Sequence, residues 1–251
     1  GYDLPHAFVS VTSDGFNRNA ILSRFPIADL NADGSATESS FLVLDDAYAT
    51  TGVVIRWYQF GEIDLPDDVY EHDLVVGNGH LKSGGTSADR AQRIAEAQRV
   101  AYYIDYLFNG AGLGLPDPNN TIVFPNPPAL VPDGTPVVWG GDWNEDELTN
   151  GRKGPAEWMT RAALSGGNDG TDRDRSDAVY DDATDVFTGA RGTRNSAKLD
   201  YLAWQDSRIE GVRRQFVFES SSVGSDDQLP EPVRTFPYPF PNVTSVFASD
   251  H

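Results

Sequence analysis

The feature that most constrains the fold is an apolar run that ends in glycine and is followed at once by polar residues. Residues 137–147 read Val-Val-Trp-Gly-Gly-Asp-Trp-Asn-Glu-Asp-Glu. The apolar run is typical of a buried strand, and the glycines allow a sharp turn and the close approach of a ligand. Asp142 and Asn144 then follow two residues apart, and in extended backbone such side chains point to the same side. In isolation a polar turn is the simpler interpretation, but the stretch also suits a site for a hard metal ion and a phosphate.

A second stretch is built in the same way. Residues 74–83 read Leu-Val-Val-Gly-Asn-Gly-His-Leu-Lys-Ser, an apolar strand that breaks at glycines and delivers Asn78 and His80 two residues apart. A single histidine is most often structural. A histidine beside an asparagine at a glycine-flanked strand end is a stronger candidate, because histidine titrates near neutral pH and suits proton transfer or a phosphate contact.

A third stretch sets one carboxylate among apolar residues. Residues 196–204 read Ser-Ala-Lys-Leu-Asp-Tyr-Leu-Ala-Trp, which predicts a strand that carries Asp200. A carboxylate in such a run is costly to bury unless it is paired. The candidate partner is His251, which follows Asp250 and would be oriented by Asp200 as in other hydrogen-bonded catalytic pairs. A frayed Ser-Asp-His tail is the ordinary alternative.

Two earlier segments carry weaker signals. Residues 19–27 predict a short strand that ends before a proline, where Arg24 either brings a cation near a phosphate or is simply solvated. Residues 29–34 match the first half of a calcium-binding loop. The twelfth position of that loop would be Ser40, which cannot supply a bidentate carboxylate. An acidic surface loop is therefore favoured over a calcium site.

One long helix is predicted after the second stretch. Ser87 can cap it, Asp89 suits its first turn, and Asn109 followed by glycine ends it. Apolar residues recur at helical spacing on the face that would pack on a sheet: Ile94, Ala97, Ala101, Ile104 and Phe108. The arginines are interpreted as the solvated side of the helix: Arg90, Arg93 and Arg99. The long segment 110–136 that follows is either a substrate-side insertion or a surface decoration.

Composition restricts the class of protein. A chain of 251 residues with 39% hydrophobic residues is not disordered and can bury a sizeable core. Asp and Glu number 38 against 19 Lys and Arg, a net charge of −19, which gives no footprint for broad nucleic-acid binding. A nuclease that handles phosphate with a metal ion and a few local cations stays compatible with this charge. The absence of cysteine excludes disulfides, thiolate catalysis and cysteine-type zinc sites, and no apolar run is long enough to span a bilayer.

Taken together, the motifs resemble the endonuclease/exonuclease/phosphatase superfamily, which includes pancreatic-type deoxyribonucleases, apurinic endonucleases, sphingomyelinases and inositol-polyphosphate phosphatases. They are Ile-Leu-Ser-Arg-Phe-Pro-Ile at 21–27, Asn-Gly-His-Leu at 78–81, Gly-Asp-Trp-Asn at 141–144, Leu-Asp-Tyr at 199–201 and Ser-Asp-His at 249–251. No single motif is decisive, whereas their order and spacing are highly specific. Phenylalanine is common in the family where Trp143 stands, so an aromatic residue is kept.

The resemblance implies an α/β (α+β) fold, a four-layer α-β-β-α sandwich of two packed mixed sheets with the site at the sheet ends. The family begins with a strand ending in asparagine and a second strand ending in a metal-binding glutamate, and it continues past Ser-Asp-His into a final strand. These strands are not found in the sequence, so we expect residues 1–251 to form a single domain that is truncated at both ends.

The resemblance also implies hydrolysis of phosphate esters with Mg²⁺ or Mn²⁺ as the cofactor. Carried onto this sequence, Asp142 and Asn144 would position the attacking water and the phosphate. Asp142 and Asp250 would contact the metal ion. His251 would act as general base or bind the phosphoryl oxygens, and Asp200 would orient it.

The resemblance assigns the remaining candidates to the substrate. His80 would contact the phosphate or assist the leaving group, Asn78 would shape its loop, and Arg24 would contribute to substrate binding. The expected activity is that of a secreted or periplasmic nuclease or phosphodiesterase, a monomer acting on a phosphate ester, with nucleic acid as one candidate. The alternatives are a phosphomonoesterase for a small or lipid-like phosphate and a degenerate member that binds a ligand without catalysis.

Overall fold

The computed structural model describes residues 4–9, 18–28, 41–43, 58–109, 135–160, 178–180, 184, 189–194, 196–205 and 209. Their strands and helices, in chain order, are β1 (His6–Val9), β2 (Ala20–Ser23), β3 (Phe41–Val43), β4 (Tyr58–Ile63), β5 (Leu74–His80), α1 (Ser87–Asn109), β6 (Val137–Asp142), α2 (Pro155–Trp158), β7 (Ala178–Tyr180) and β8 (Asp200–Gln205). The calcium-like loop at 29–34, the segment 110–134 and the C-terminal Asp250 and His251 lie outside the described residues.

The strands form two sheets. β1 and β2 pair in an antiparallel sheet, and the other strands form a six-stranded sheet in the order β3-β4-β5-β6-β8-β7. In that larger sheet β5 and β6 are parallel, and the remaining neighbours are antiparallel. Parallel neighbouring strands need a crossover connection. The helix α1 lies in the crossover from β5 to β6. The structure thus has two sheets, one of them mixed, and a long crossover helix. These features confirm the predicted α/β fold class.

The larger sheet has an apolar core on each face. On one face, Val75 and Trp139 pack with Ala97 and Val100 of α1. On the other face, Leu74 and Val76 pack against the core formed by Phe8, Ile21, Ile27 and Ile63, which include residues of β1 and β2. The residues of β5 therefore alternate between the helix side and the side of the smaller sheet. This alternation places Asn78 and His80 together on the side of the smaller sheet.

The glycines of β5 and β6 do not end the strands, contrary to the expectation from the sequence, since β5 continues to His80 and β6 to Asp142. They make room for neighbouring rings and backbone. A Cβ atom at Gly79 would lie 1.9 Å from Cδ2 of Tyr58, and one at Gly77 would lie 2.5 Å from Cε1 of Phe60. The hydroxyl of Tyr58 donates to the carbonyl oxygen of Gly140 at 2.9 Å, so the ring crosses β5 and reaches the next strand.

The helix α1 begins at a reciprocal cap. The hydroxyl and the backbone N–H of Thr86 donate to Oδ2 of Asp89 at 2.7 and 3.0 Å, and the N–H of Asp89 donates to the Thr86 hydroxyl oxygen at 3.1 Å. Thr86 is therefore the capping residue rather than Ser87, and the arrangement is a capping box. These hydrogen bonds from Thr86, followed by the contact with Lys82, lower the pKa of Asp89 to about 2.

The chain divides into two compact units: Gly1–Tyr180 with Asp200–Gly211, and Asp181–Leu199 with Val212–His251. The first unit contains the strands and helices described above. In the second, the backbone N–H groups of Thr193 and Arg194 donate to the carbonyl of Ala197 at 2.9 and 3.0 Å and form a tight turn. A single domain over the whole chain stays a prediction. In the described part of the chain, no helix has the length and apolar character needed to cross a membrane.

Candidate functional site

Three of the residues singled out in the sequence lie side by side at one edge of the larger sheet. His80 is paired in register with Asp142 between the parallel strands β5 and β6. Asp142 is in turn paired with Asp200, which begins the antiparallel strand β8. The end of β5, the end of β6 and the start of β8 therefore meet at the same edge, and the topology aligns the three residues in one row.

His80 and Asp142 are in direct contact. Nε2 of His80 lies 3.1 Å from Oδ2 of Asp142, with side-chain exposures of 17% for the histidine and 7% for the aspartate. The other carboxylate oxygen of Asp142 accepts the backbone N–H of Asn144 at 2.9 Å. The carboxylate of Asp142 therefore lies between the imidazole of His80 and a backbone N–H, where it can orient the ring of a protonated or neutral histidine.

A turn brings Asn144 to this edge. The sequence had predicted extended backbone at this position. Its φ of 55° is in the left-handed region, which asparagine tolerates better than most residues. Its side-chain amide donates to the carbonyl of Leu81 at 3.1 Å, and the N–H of Leu81 donates to the carbonyl of Asp142 at 2.9 Å. The loops that follow β5 and β6 are therefore joined directly beside His80 and Asp142.

Trp143 anchors the turn between Asp142 and Asn144. It is fully buried on the helix side of the sheet and stacks on Tyr201 with ring centroids 4.9 Å apart and an interplanar angle of 9°. The hydroxyl of Tyr201 contacts the carboxylate of Glu147, and burial raises the pKa of Tyr201 well above its ordinary value, so the hydroxyl keeps its proton. The aromatic residue of this motif thus belongs to the core, whereas the polar residues around it face the site.

Asn78 and Arg24 occupy different places. The side-chain amide of Asn78 donates to the carbonyl of Ala20 at 3.1 Å and ties β5 to β2 near the row of polar residues. From Ala20 the chain runs away from this edge, since Ile27 forms a bridge with Ile63 at the far end of β4. Arg24 lies on that outgoing segment and is exposed, and its contact with a substrate stays a prediction.

Arg93 is buried, and the prediction from the sequence that it is solvated is wrong. It was expected on the solvated side of the helix, but its side chain is only 2% exposed and is paired with Glu145. Arg93 stands four residues before Ala97, which is fully buried, so helical spacing places both on the face that packs on the sheet. That spacing was the available signal, and the charge of arginine obscured it.

The donor chemistry of the site suits a hard divalent cation. Magnesium is usually held by one or two carboxylates together with water and substrate phosphate, and Asp142 with the amide oxygen of Asn144 would supply such ligands. Within the described ranges, no three His, Asp or Glu side chains are grouped closely enough to hold a metal ion. The predicted ligand Asp250 and the predicted base His251 lie outside those ranges, so their roles, and that of Asp200 toward His251, stay predictions.

Neither a protein-family model nor a curated protein sequence matches the chain. Similar solved structures include a mannosyl-6-phosphatase from Bacteroides thetaiotaomicron, at 12% identity and a TM-score of 0.42, covering 81% of this chain and 64% of that chain. An endonuclease/exonuclease/phosphatase from Beutenbergia cavernae has 14% identity and a TM-score of 0.39, covering 81% and 47%. Sphingomyelinase C from Streptomyces griseocarneus has 12% identity and a TM-score of 0.39, covering 83% and 64%.

One of these structures carries the name of the superfamily that the sequence motifs resemble. The chain spans less than two thirds of the length of each of the three. At these identities and TM-scores, no activity, substrate or residue role is transferred from them to this chain.

Proposed function

We propose that the chain hydrolyses phosphate esters with a divalent metal ion and acts on phosphodiesters. The observation that carries the proposal is the row of His80, Asp142 and Asp200 across three neighbouring strands, with Asn144 held against Asp142. A histidine in contact with a buried carboxylate, next to the partly exposed Asn144 and Asp200, can position and protonate a phosphate ester.

Each residue of the row has a distinct proposed task. The carboxylate of Asp142 orients the ring of His80, and a protonated His80 would contact a phosphoryl oxygen or donate a proton to the leaving oxygen. Asn144 would contact the phosphate or the attacking water through its side-chain amide. Asp200 would orient His251, whose imidazole would act as general base or bind the phosphoryl oxygens.

A bound Mg²⁺ or Mn²⁺ ion would neutralise the charge that develops on the phosphate during hydrolysis. Asp142 is the described carboxylate that would hold it, and the sequence resemblance adds Asp250. Since magnesium keeps several water ligands in proteins, one or two carboxylates are sufficient for such a site.

We propose that the activity is that of an extracellular or periplasmic nuclease or phosphodiesterase, working as a monomer. The chain has 38 acidic and 19 basic residues. This charge supports an enzyme that contacts phosphate locally and not one that binds a long stretch of nucleic acid electrostatically. Arg24, which is exposed on the segment that follows β2, would contribute to substrate binding.

Hydrolysis of bis(p-nitrophenyl) phosphate tests the proposal directly. The longest natural form of the chain is assayed with Mg²⁺, with Mn²⁺ and with EDTA, and p-nitrophenyl phosphate serves as the monoester control. Metal-dependent release of p-nitrophenol from the diester is the expected result, followed by nucleic acid and phospholipid panels. Turnover of the monoester alone would point to a phosphomonoesterase, and no turnover of either by folded, metal-loaded protein would contradict an enzymatic function.

A further inference from the structure

We propose that Arg93 and Glu145 form a positioning pair that fixes the two loops on which the site depends. Arg93 is then a positioning residue for the proposed reaction, acting through His80 and Asp142 without contacting the substrate itself. The inference rests on the proposed function and adds to it a determinant that lies in the helix, outside the row of polar residues.

The guanidinium of Arg93 binds both loops at once. Nε donates to Oε2 of Glu145 at 2.7 Å, in the loop that follows β6. Nη1 donates to the carbonyl oxygens of Lys82 at 3.0 Å and Gly84 at 2.7 Å, in the loop that follows β5. Because these donors belong to one rigid planar group, the two loops are held at a set distance from each other.

The neighbours of the pair restrict it further. Oε2 of Glu96, one turn after Arg93 on α1, accepts the backbone N–H of Lys82 at 2.8 Å, so the helix holds both the N–H and the carbonyl of that residue. Oε1 of Glu145 accepts the side-chain amide of Asn150 at 3.1 Å. The anchored residues stand close in sequence to the site, since Lys82 is two residues after His80 and Glu145 directly follows Asn144.

Stability alone is a weak reason for an ion pair at this place. Arg93 and Glu145 have side-chain exposures of 2% and 6%, and a buried pair of this kind is often no more stabilising than apolar residues of similar volume. What an apolar pair cannot do is hydrogen-bond the carbonyls of Lys82 and Gly84. Those carbonyls belong to a loop with exposed residues. Without the arginine, water could donate hydrogen bonds to the two carbonyls, but it would not hold the loop in place.

The decisive variant is the double substitution Arg93→Met with Glu145→Leu, made in the full chain. It keeps the helix and removes both charges together, so no unpaired buried charge is left behind. We expect a thermal midpoint close to that of the parent chain, with kcat for bis(p-nitrophenyl) phosphate lowered by about tenfold to hundredfold and KM little changed, because small displacements of reacting groups cost rate. Arg90→Met is the matched control, since Arg90 is exposed and lies one turn earlier on the same helix.

A folded double variant with unchanged kcat would overturn the inference, whereas an inactive parent chain would instead overturn the proposed function. If the double variant does not fold, Arg93→Lys decides. It keeps the charge beside Glu145 but lacks the planar, multidentate group that reaches Glu145 and the two carbonyls together. Parental kcat in Arg93→Lys would equally overturn the inference. A readout independent of activity is the ring resonance of His80, which is resolvable because the chain has 4 histidines. The resonance should shift in the Arg93 variants and stay in place in Arg90→Met.

Discussion

The packing of Tyr58 over β5 predicts that Gly79 cannot be replaced by alanine without a large loss of stability. A Cβ atom at Gly79 would lie 1.9, 2.3 and 2.6 Å from three carbon atoms of the Tyr58 ring. Non-bonded carbon atoms need about 3.5 Å, so the ring would have to move by about 1.5 Å. Tyr58 is 3% exposed, packs against Phe60 at a centroid distance of 5.5 Å and donates to the carbonyl of Gly140, so there is little room for that movement.

The expected magnitude follows from two terms. Overpacking of a close-packed core costs about 1–3 kcal/mol, and losing the buried hydrogen bond from Tyr58 to Gly140 adds about 1 kcal/mol. Gly79→Ala should therefore destabilise the fold by about 2–4 kcal/mol, and for a chain of this size each kcal/mol lowers the melting temperature by about 2–4 °C. We expect a decrease of about 5–15 °C.

Thermal melting followed by circular dichroism, with urea unfolding as a second measurement, tests this directly. Gly85→Ala is the matched control, because a Cβ atom there meets no other atom within 4 Å, and its melting temperature should be unchanged. In a Tyr58→Leu background the ring is gone, so Gly79→Ala should cost clearly less than in the parent chain. An unchanged melting temperature of Gly79→Ala, or an equal cost in both backgrounds, would refute the packing argument.

Three further predictions concern the site, a buried acid and the helix cap. Asp142→Asn and His80→Ala should each lower kcat by about a hundredfold or more with the far-ultraviolet circular dichroism unchanged, and parental turnover in either would contradict its assignment. Burial, with Asp73 and Asp64 nearby, raises the pKa of Glu62 from 4.5 to about 7. Between these pH values the folded state keeps a proton that the unfolded state releases, so the stability of the fold decreases as the pH rises. Glu62→Gln should therefore stabilise the chain by about 1–2 kcal/mol at pH 8 and not at pH 4, and equal urea midpoints at pH 8 would refute it. Thr86→Ala removes a cap and should cost about 1 kcal/mol, whereas Ser87→Ala should cost little, a contrast that reverses if Ser87 is the cap.

The larger features of the fold could be read from the sequence because they depend on local pattern. The apolar runs that became β5 and β6 and the ends of α1 are properties of short windows, and the placement of these elements is confirmed. The sequence predicts that the glycines end the strands, whereas their role depends on a residue far away in sequence. No local signal at Gly79 indicates that the ring of Tyr58 will lie against it.

The candidate site was predictable in its residues more than in its geometry. His80 and Asp142 were named from similar motifs, and the parallel pairing that puts them 3.1 Å apart depends on the crossover through α1. The motif around Arg24 does not show that its segment runs from β2 toward the bridge between Ile27 and Ile63. The direction of a strand relative to another sheet is a tertiary property that a motif does not contain.

The polar residues at the end of β6 and just after it have different roles that the sequence does not distinguish. In sequence, Asp142, Asn144, Glu145, Asp146 and Glu147 are chemically similar candidates for a phosphate or metal site. In the structure Asp142 contacts the histidine of β5, whereas Glu145 pairs with the buried arginine of α1, Asp146 accepts a backbone N–H within its own turn and Glu147 contacts a tyrosine of β8. The division follows from Trp143, because burying that ring on the helix side leaves Asp142 on the opposite side and turns the chain after Asn144 back toward the helix. Replacing Trp143 should therefore disturb the site and the Arg93 pair together, although its side chain contacts neither the substrate nor the metal ion in the proposed mechanism.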